Sequence, residues 1–227
     1  MKGLNTKRPS RDSLLRADRP LRIQREETAT CVAVIHRIFS KKKCHKHPSV
    51  ECIIMNFGRN FSPGDHIFDF GSGCGHQGAW LKAYYGMETF GIDMTSSAVD
   101  WANVPGTYCI GDASNVSYVK DNVFDGAYSY AVLYHLPYPL QCKSVLEAIR
   151  IVKPGGFIYL GWFGCHIAGN PSPDPDGDFW PKCIKDSGVK VKSLEVVKET
   201  AIIGSWGLGI MDNEACGVPN YGIQVTV

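Results

Sequence analysis

Three alternating glycines, Gly71, Gly73 and Gly75, stand between an apolar run and a stretch of helical periodicity. The run is His66-Ile67-Phe68-Asp69-Phe70, and the periodic residues are Trp80, Leu81 and Tyr84. Glycine reaches positive φ without a Cβ clash and lets a ligand approach the backbone closely. A strand that turns so sharply into a helix is the opening of a βαβ unit, and such units build parallel sheets covered on both faces. In these sheets small ligands bind beyond the carboxyl ends of the strands.

The rest of the chain repeats the alternation. Pattern and turn residues predict helices over Thr28–Ser40 and Val50–Gly58, then a turn at Ser62-Pro63-Gly64-Asp65. A helix is expected over His76–Tyr85, ended by Gly86. Strands follow at Thr89–Asp93, Tyr108–Ile110 and Gly126–Tyr130, with a helix begun at Ser97-Ala98-Val99-Asp100 between the first two. Pro139–Val152 reads as a helix with Val145, Leu146, Ile149 and Val152 on one face, broken by Pro154-Gly155-Gly156. Phe157–Trp162 is then a buried fifth strand, followed by a loop to about Pro181. Val189–Val197 and Tyr221–Val227 read as two last strands that pair antiparallel, with no helical pattern between them. The expected class is α/β, a Rossmann-like doubly wound sheet.

Charge divides the chain unevenly. Residues 1–47 hold 13 Lys/Arg against 4 Asp/Glu, and residues 48–227 hold 11 against 18. A basic, partly disordered N-terminal arm (1–47) is expected before a catalytic domain (48–227). Such arms meet nucleic acid or acidic partners, or are solvated tails. Its four acids fit an organelle presequence badly, and no apolar stretch after Met1 suggests a secretory signal. Phe157–Gly169 is the nearest approach to a membrane span and is too short. Nine irregularly spaced cysteines suggest reduced thiols, hence a cytoplasmic protein, with a mitochondrial or other organellar location as the alternative. His36, Cys44, His45, His47 and Cys52 are zinc-type ligands at a spacing that matches no zinc module, so no metal is expected.

Two nucleotide cofactors fit the glycine turn. Gly73-Cys74-Gly75-His76-Gln77-Gly78 satisfies the dinucleotide fingerprint G-x-G-x-x-G, and Asp93 lies where a ribose-binding acid is needed. Asp69 favours the other choice. A carboxylate two residues before the turn suits the ammonium of S-adenosylmethionine (SAM) and opposes a pyrophosphate.

Four more segments carry a resemblance. They are Phe90-Gly91-Ile92-Asp93-Met94; Gly111-Asp112-Ala113 with Phe124-Asp125-Gly126-Ala127-Tyr128-Ser129; Val132-Leu133-Tyr134-His135-Leu136-Pro137; and Arg150-Ile151-Val152-Lys153-Pro154-Gly155-Gly156. With the glycine turn, the stretch from about His66 to Trp162 resembles the small-molecule class I SAM-dependent methyltransferases. That broad group includes ubiquinone- and menaquinone-biosynthesis enzymes. The resemblance implies a seven-stranded, mostly parallel sheet with an antiparallel last strand, and SAM as cofactor. It implies that Asp69, Gly71, Ser72, Gly73 and Gly75 hold the methionine end, and that Asp93 accepts the ribose hydroxyls. Met94 would pack beside adenine, Asp112 would accept the adenine amino group and the Ala113 N–H would serve a ring nitrogen. Ser129 and Tyr130 would lie near the amino acid end and the methyl group.

Methyl transfer needs alignment and dryness more than covalent chemistry. Aromatic faces suit a sulfonium, and Tyr128, Tyr130, Tyr134 and Trp162 lie near strand tips. Where the acceptor needs a base, His135 is the first candidate and Tyr134 the second. The Asp/Asn-Pro-Pro-aromatic segment of many base-methylating enzymes is absent from the fourth strand tip, which reads Ser129-Tyr130-Ala131-Val132. A small-molecule acceptor is therefore expected. The alternatives are RNA or protein methylation through the basic arm, and an NAD(P)-dependent oxidoreductase.

Overall fold

The computed structural model describes residues 54, 56–73, 75–95, 106–163, 178–199 and 220–227. The basic arm, the zinc-type residues of the arm, the helix expected over Thr28–Ser40 and the one expected from Ser97 lie outside these residues.

Seven strands form one sheet: β1 His66–Phe70, β2 Glu88–Asp93, β3 Thr107–Ile110, β4 Phe124–Tyr130, β5 Val152–Phe163, β6 Ser193–Glu199 and β7 Asn220–Thr226. Their spatial order is β3-β2-β1-β4-β5-β7-β6. The first five are parallel, and β7 runs antiparallel to both β5 and β6. The expected mixed sheet is thus present. Its order reverses at β1, whose neighbours are β2 and β4. The carboxyl ends of these strands open the crevice where ligands bind in such sheets.

Helices cover both faces. The helix α1, His76–Tyr85, starts at Gly75 and stops at Gly86, both left-handed. Its Trp80 and Leu81 pack with Ile67, Tyr128 and Tyr159 on one side of the sheet. Ile54 and Phe57, from the end of the helix expected over Val50–Gly58, are buried in the same cluster. The helix α2, Tyr138–Ile151, buries Val145, Ala148 and Ile149 on the opposite side, against Phe68, Phe70 and Leu160. Each large apolar side chain removed from water in this way stabilises the fold by roughly 1.5–3 kcal/mol.

Three expectations need correction. Pro154-Gly155-Gly156 does not separate α2 from the fifth strand. It lies inside β5 as an irregularity: Phe124 pairs with Val152, while Gly126 pairs with Phe157. Gly155 takes φ +86° there and donates its N–H to the Val227 carbonyl at 2.7 Å. The turn glycine thus serves as a strand bulge, because Val227, just after β7, supplies a partner for it.

The loop expected to about Pro181 gives way earlier to a helix, α3, Phe179–Ser187. Trp180, Cys183 and Ile184 have i, i+3, i+4 spacing and are buried against α2 and the sheet. The surrounding Pro, Asp and Lys residues mask that short apolar stripe in sequence. Trp180 donates its indole N–H to Gln141 of α2 at 2.9 Å.

The third correction concerns the thiols. Cys142 of α2 and Cys183 of α3 are joined by a disulfide across 41 residues of sequence. Spacing gave no sign of it, since the pairing needs α3 docked on α2. Among the described residues no helix is long and apolar enough to cross a membrane.

Candidate active site

The glycine turn is held from below by β2. Gly71 and Ser72 donate their N–H groups to the Ile92 carbonyl at 2.9 and 2.8 Å. Gly73 donates to Asp93 Oδ2 at 2.8 Å. Asp93 Oδ1 accepts from the Thr95 N–H at 2.8 Å and from its hydroxyl at 2.7 Å. Asp93 therefore staples the turn to the tip of β2. Gly71, Gly73 and Gly75 take φ of +82°, +50° and +69°. A Cβ on Gly71 would stand 2.4 Å from the Val132 side chain. Ala131 prepares that contact, with φ +57° at the tip of β4. A non-glycine residue there costs roughly 1–2 kcal/mol. By contrast, nothing lies within 4 Å of a Cβ built on Gly73. The turn is anchored on its inner side and open at its centre.

Asp69 lies behind this turn. It is opposite Gly91 of β2 and Tyr128 of β4. Only 1% of it is exposed. The Tyr128 hydroxyl donates to its Oδ2 at 2.5 Å, while Oδ1 has no hydrogen-bond partner among the described residues. Burial pushes the Asp69 carboxyl up to about 8, against the opposing Tyr128 bond and with a further push from the Asp93 charge. A buried carboxylate with one oxygen unsatisfied is costly unless a donor or cation completes it. Ser72 Oγ is also buried without a partner among the described residues. An open glycine turn, an unsatisfied carboxylate oxygen and an unsatisfied hydroxyl fit a ligand carrying a cationic, hydrogen-bonding end.

The other expected site residues lie at or after the carboxyl ends of β2, β3 and β4. Met94 follows Asp93 and is 69% exposed. Asp112 and Ala113 follow β3; Asp112 Oδ1 accepts the Ser114 N–H at 2.8 Å, the geometry of an Asx turn, and Ala113 is buried. Ser129 is fully buried, and its hydroxyl donates to the Phe70 carbonyl at 3.0 Å, tying β4 to β1. Tyr130 is buried one residue on. Tyr134 and His135 lie in a single 3₁₀ turn, Leu133–His135, beyond β4. Their rings are 4.0 Å apart at the centroids. Tyr134 is buried and its phenol pushed up to about 12 by desolvation, whereas His135 is exposed. The Trp162 side chain lies outside those described.

Sequence reasoning missed three contributors. Tyr128 was noted only as an aromatic, yet it is the direct partner of Asp69. Tyr108 of β3 donates its hydroxyl to the Gly75 carbonyl at 3.1 Å. Ala131 carries the strain that sets Val132 against Gly71. None has a local motif; each depends on a residue from another strand.

Residues 68–160 match a family model described as "Methyltransferase domain". The match begins inside β1 and ends inside β5, so it contains both the glycine turn and the β4 tip. The matched segment, less than half of the chain, is similar to a methyltransferase domain. The chain is 29% identical over 135 residues to a tRNA (carboxymethyluridine(34)-5-O)-methyltransferase of Arabidopsis thaliana, covering 56% of this chain and 31% of that protein. It is also 29% identical over 121 residues to phosphoethanolamine N-methyltransferase 2 of Caenorhabditis elegans, covering 49% and 26%. The chain therefore matches about a third or less of the length of these curated relatives. A TehB-like SAM-dependent methyltransferase of Corynebacterium glutamicum superposes with a TM-score of 0.58 at 20% identity, over 90% of this chain and 98% of that one. At that identity the likeness is one of fold.

Proposed function

We propose that this protein is an active SAM-dependent methyltransferase whose acceptor is a small molecule, methylated on O, N, C or S. The observation that carries the cofactor half of this reading is Asp69, a buried carboxyl with one oxygen unsatisfied among the described residues, behind an open glycine turn. A bound SAM supplies an electrophilic methyl group on a sulfonium. The chain's own residues bind, orient and exclude water. Asp69 and the Gly71–Gly75 turn hold the methionine end, the first by giving up its proton against the ligand's ammonium and the second by letting the ligand approach the backbone at Gly73. Asp93 Oδ2, fixed by Gly73, receives one ribose hydroxyl on its remaining lone pair, and the second takes the place of the Thr95 hydroxyl on Oδ1. Met94 covers adenine, and Asp112 with the Ala113 N–H reads its edge. Ser129 acts through the backbone it fixes, and Tyr130 lies beside the transferred group. Orientation of this kind is worth roughly 7–11 kcal/mol of a barrier in favourable cases. His135, exposed at the mouth, takes the acceptor's proton where one must leave. The raised Tyr134 phenol is a poor base and a better wall.

The small-molecule acceptor is supported by the absence of Asp/Asn-Pro-Pro-aromatic at the β4 tip and by the phosphoethanolamine-directed relative. A second reading, RNA methylation, is favoured by the basic arm and the tRNA-directed relative. A nicotinamide cofactor is disfavoured by the antiparallel β7 inserted between β5 and β6, since the dinucleotide-binding order runs 3-2-1-4-5-6.

The decisive test is a thermal shift with S-adenosylhomocysteine, SAM, NAD and NADP. Either adenosyl sulfur compound at 100 times its dissociation constant adds about 2.7 kcal/mol of stability. A shift with NAD or NADP alone overturns the cofactor assignment.

A further inference from the structure

One side chain outside the expected set occupies a slot that four glycines clear for it. Tyr108 lies directly opposite Gly91, and Gly91 directly opposite Asp69, so the three form one row across β3, β2 and β1. Facing residues in such a row share a side of the sheet. Gly91 leaves the middle of the row vacant: a Cβ there would come within 2.7 Å of the Tyr108 ring and 2.6 Å of Ser72. The ring passes through this gap to the start of α1. A Cβ on Gly75 would lie 2.7 Å from it, and a Cβ on Gly78 or Gly106 would lie 2.4 or 2.5 Å from its hydroxyl oxygen. At the far end the hydroxyl donates to the Gly75 carbonyl, which also accepts the Ala79 N–H at 2.9 Å.

Gly75 is the left-handed residue on which the chain passes from turn to helix. Two donors on its carbonyl fix the orientation of that peptide. The turn is thus held at three points: by Ile92 beneath Gly71 and Ser72, by Asp93 at Gly73, and by Tyr108 at Gly75. The first two come from β2, which immediately adjoins the turn. The third reaches over β2 from β3. Helix α1 alone does not require it, because Ala79 already satisfies the Gly75 carbonyl. A phenol where phenylalanine would fill the slot equally well calls for a different explanation.

We infer that Tyr108 is a positioning residue of the cofactor site, acting through Gly75 to hold the glycine turn in the form that receives the amino acid end of the ligand. The inference rests on the reading of this turn as the SAM site. It adds a dependence on β3 that the turn's own sequence does not contain.

The test is isothermal titration of S-adenosylhomocysteine and of adenosine into the wild-type protein and into Tyr108→Phe, with melting temperatures of the ligand-free proteins. Phenylalanine keeps the ring in its slot, so the ligand-free melting temperature should change little. S-adenosylhomocysteine should bind about fivefold more weakly to the variant, the equivalent of one neutral hydrogen bond. Adenosine, which lacks the amino acid end, should bind both proteins equally. Tyr108→Leu, which empties the slot, should lose more S-adenosylhomocysteine affinity than Tyr108→Phe. If the wild type binds S-adenosylhomocysteine and Tyr108→Phe matches it within twofold, the inference is overturned while the cofactor assignment stands. Equal weakening of both ligands also overturns it, since a general loosening of the fold would then explain the loss. If the wild type binds neither ligand, the cofactor assignment fails and the inference falls with it.

Discussion

Asp69 shows a conflict between stability and binding at a single side chain. Its carboxyl is pushed up to about 8 by burial, so the folded chain holds a proton that the unfolded chain, near the ordinary ~3.9, releases. The stabilising contribution of that proton is fully present below about pH 4. It is lost as the pH rises through about 8, with a slope of at most about 1.4 kcal/mol per pH unit. Asp69→Asn keeps a group that can accept from Tyr128 and carries no charge. Its melting temperature should therefore gain steadily on the wild type between pH 4 and 8, while its affinity for S-adenosylhomocysteine falls about tenfold or more. A constant difference in melting temperature across that range would show that Asp69 titrates in the folded chain as it does in the unfolded one. His135 makes the opposite case. It is exposed and outside the core, so His135→Ala should leave folding and S-adenosylhomocysteine affinity unchanged and lower turnover by about 10²-fold or more if it is the base. Unchanged turnover removes it from the mechanism.

At the scale of elements, α2 and α3 act as one unit. The Cys142–Cys183 disulfide and the Trp180–Gln141 hydrogen bond join them, and both pack on the β5–β7 side of the sheet. A cross-link closing a loop of this length is worth about 3–4 kcal/mol in the chain-entropy account. Cys142→Ser should lower the melting temperature of the oxidised protein, and dithiothreitol should lower the wild type by more than it lowers the variant. A wild type insensitive to dithiothreitol, with an accessible thiol at Cys142, would show that the pair is reduced in solution. The strands β1 to β4 were legible in sequence to within one or two residues, because β1, β2 and β3 are short runs closed by glycine or aspartate and β4 is a short apolar run. Helix α3 was not. Its stripe of Trp180, Cys183 and Ile184 is only one turn wide, and its burial depends on α2, which is distant in sequence. The Gly155 bulge escaped for a related reason: Pro-Gly-Gly signals a break, and only the partner strand β7 turns that break into part of a ladder.

For the whole molecule, the basic arm separates the two acceptor readings. If the basic arm delivers the domain to RNA, removing residues 1–30 should abolish RNA binding, and the intact protein should show log affinity falling steeply with log salt. Truncation that leaves methyl transfer to a small acceptor unchanged favours the small-molecule reading. The class of the fold and the place of its site follow from local chemistry. Glycines at Gly71, Gly73 and Gly75 permit one kind of turn, apolar runs at helix-separated spacing demand a parallel sheet, and acids at strand tips mark its binding edge. These depend on each residue's own conformational freedom and polarity, and so they can be read along the chain. The charge state of Asp69, the slot that holds Tyr108, the strain at Ala131 and the α2–α3 cross-link are of another kind. Each arises from a distance between residues far apart in sequence, and only a folded chain has such distances.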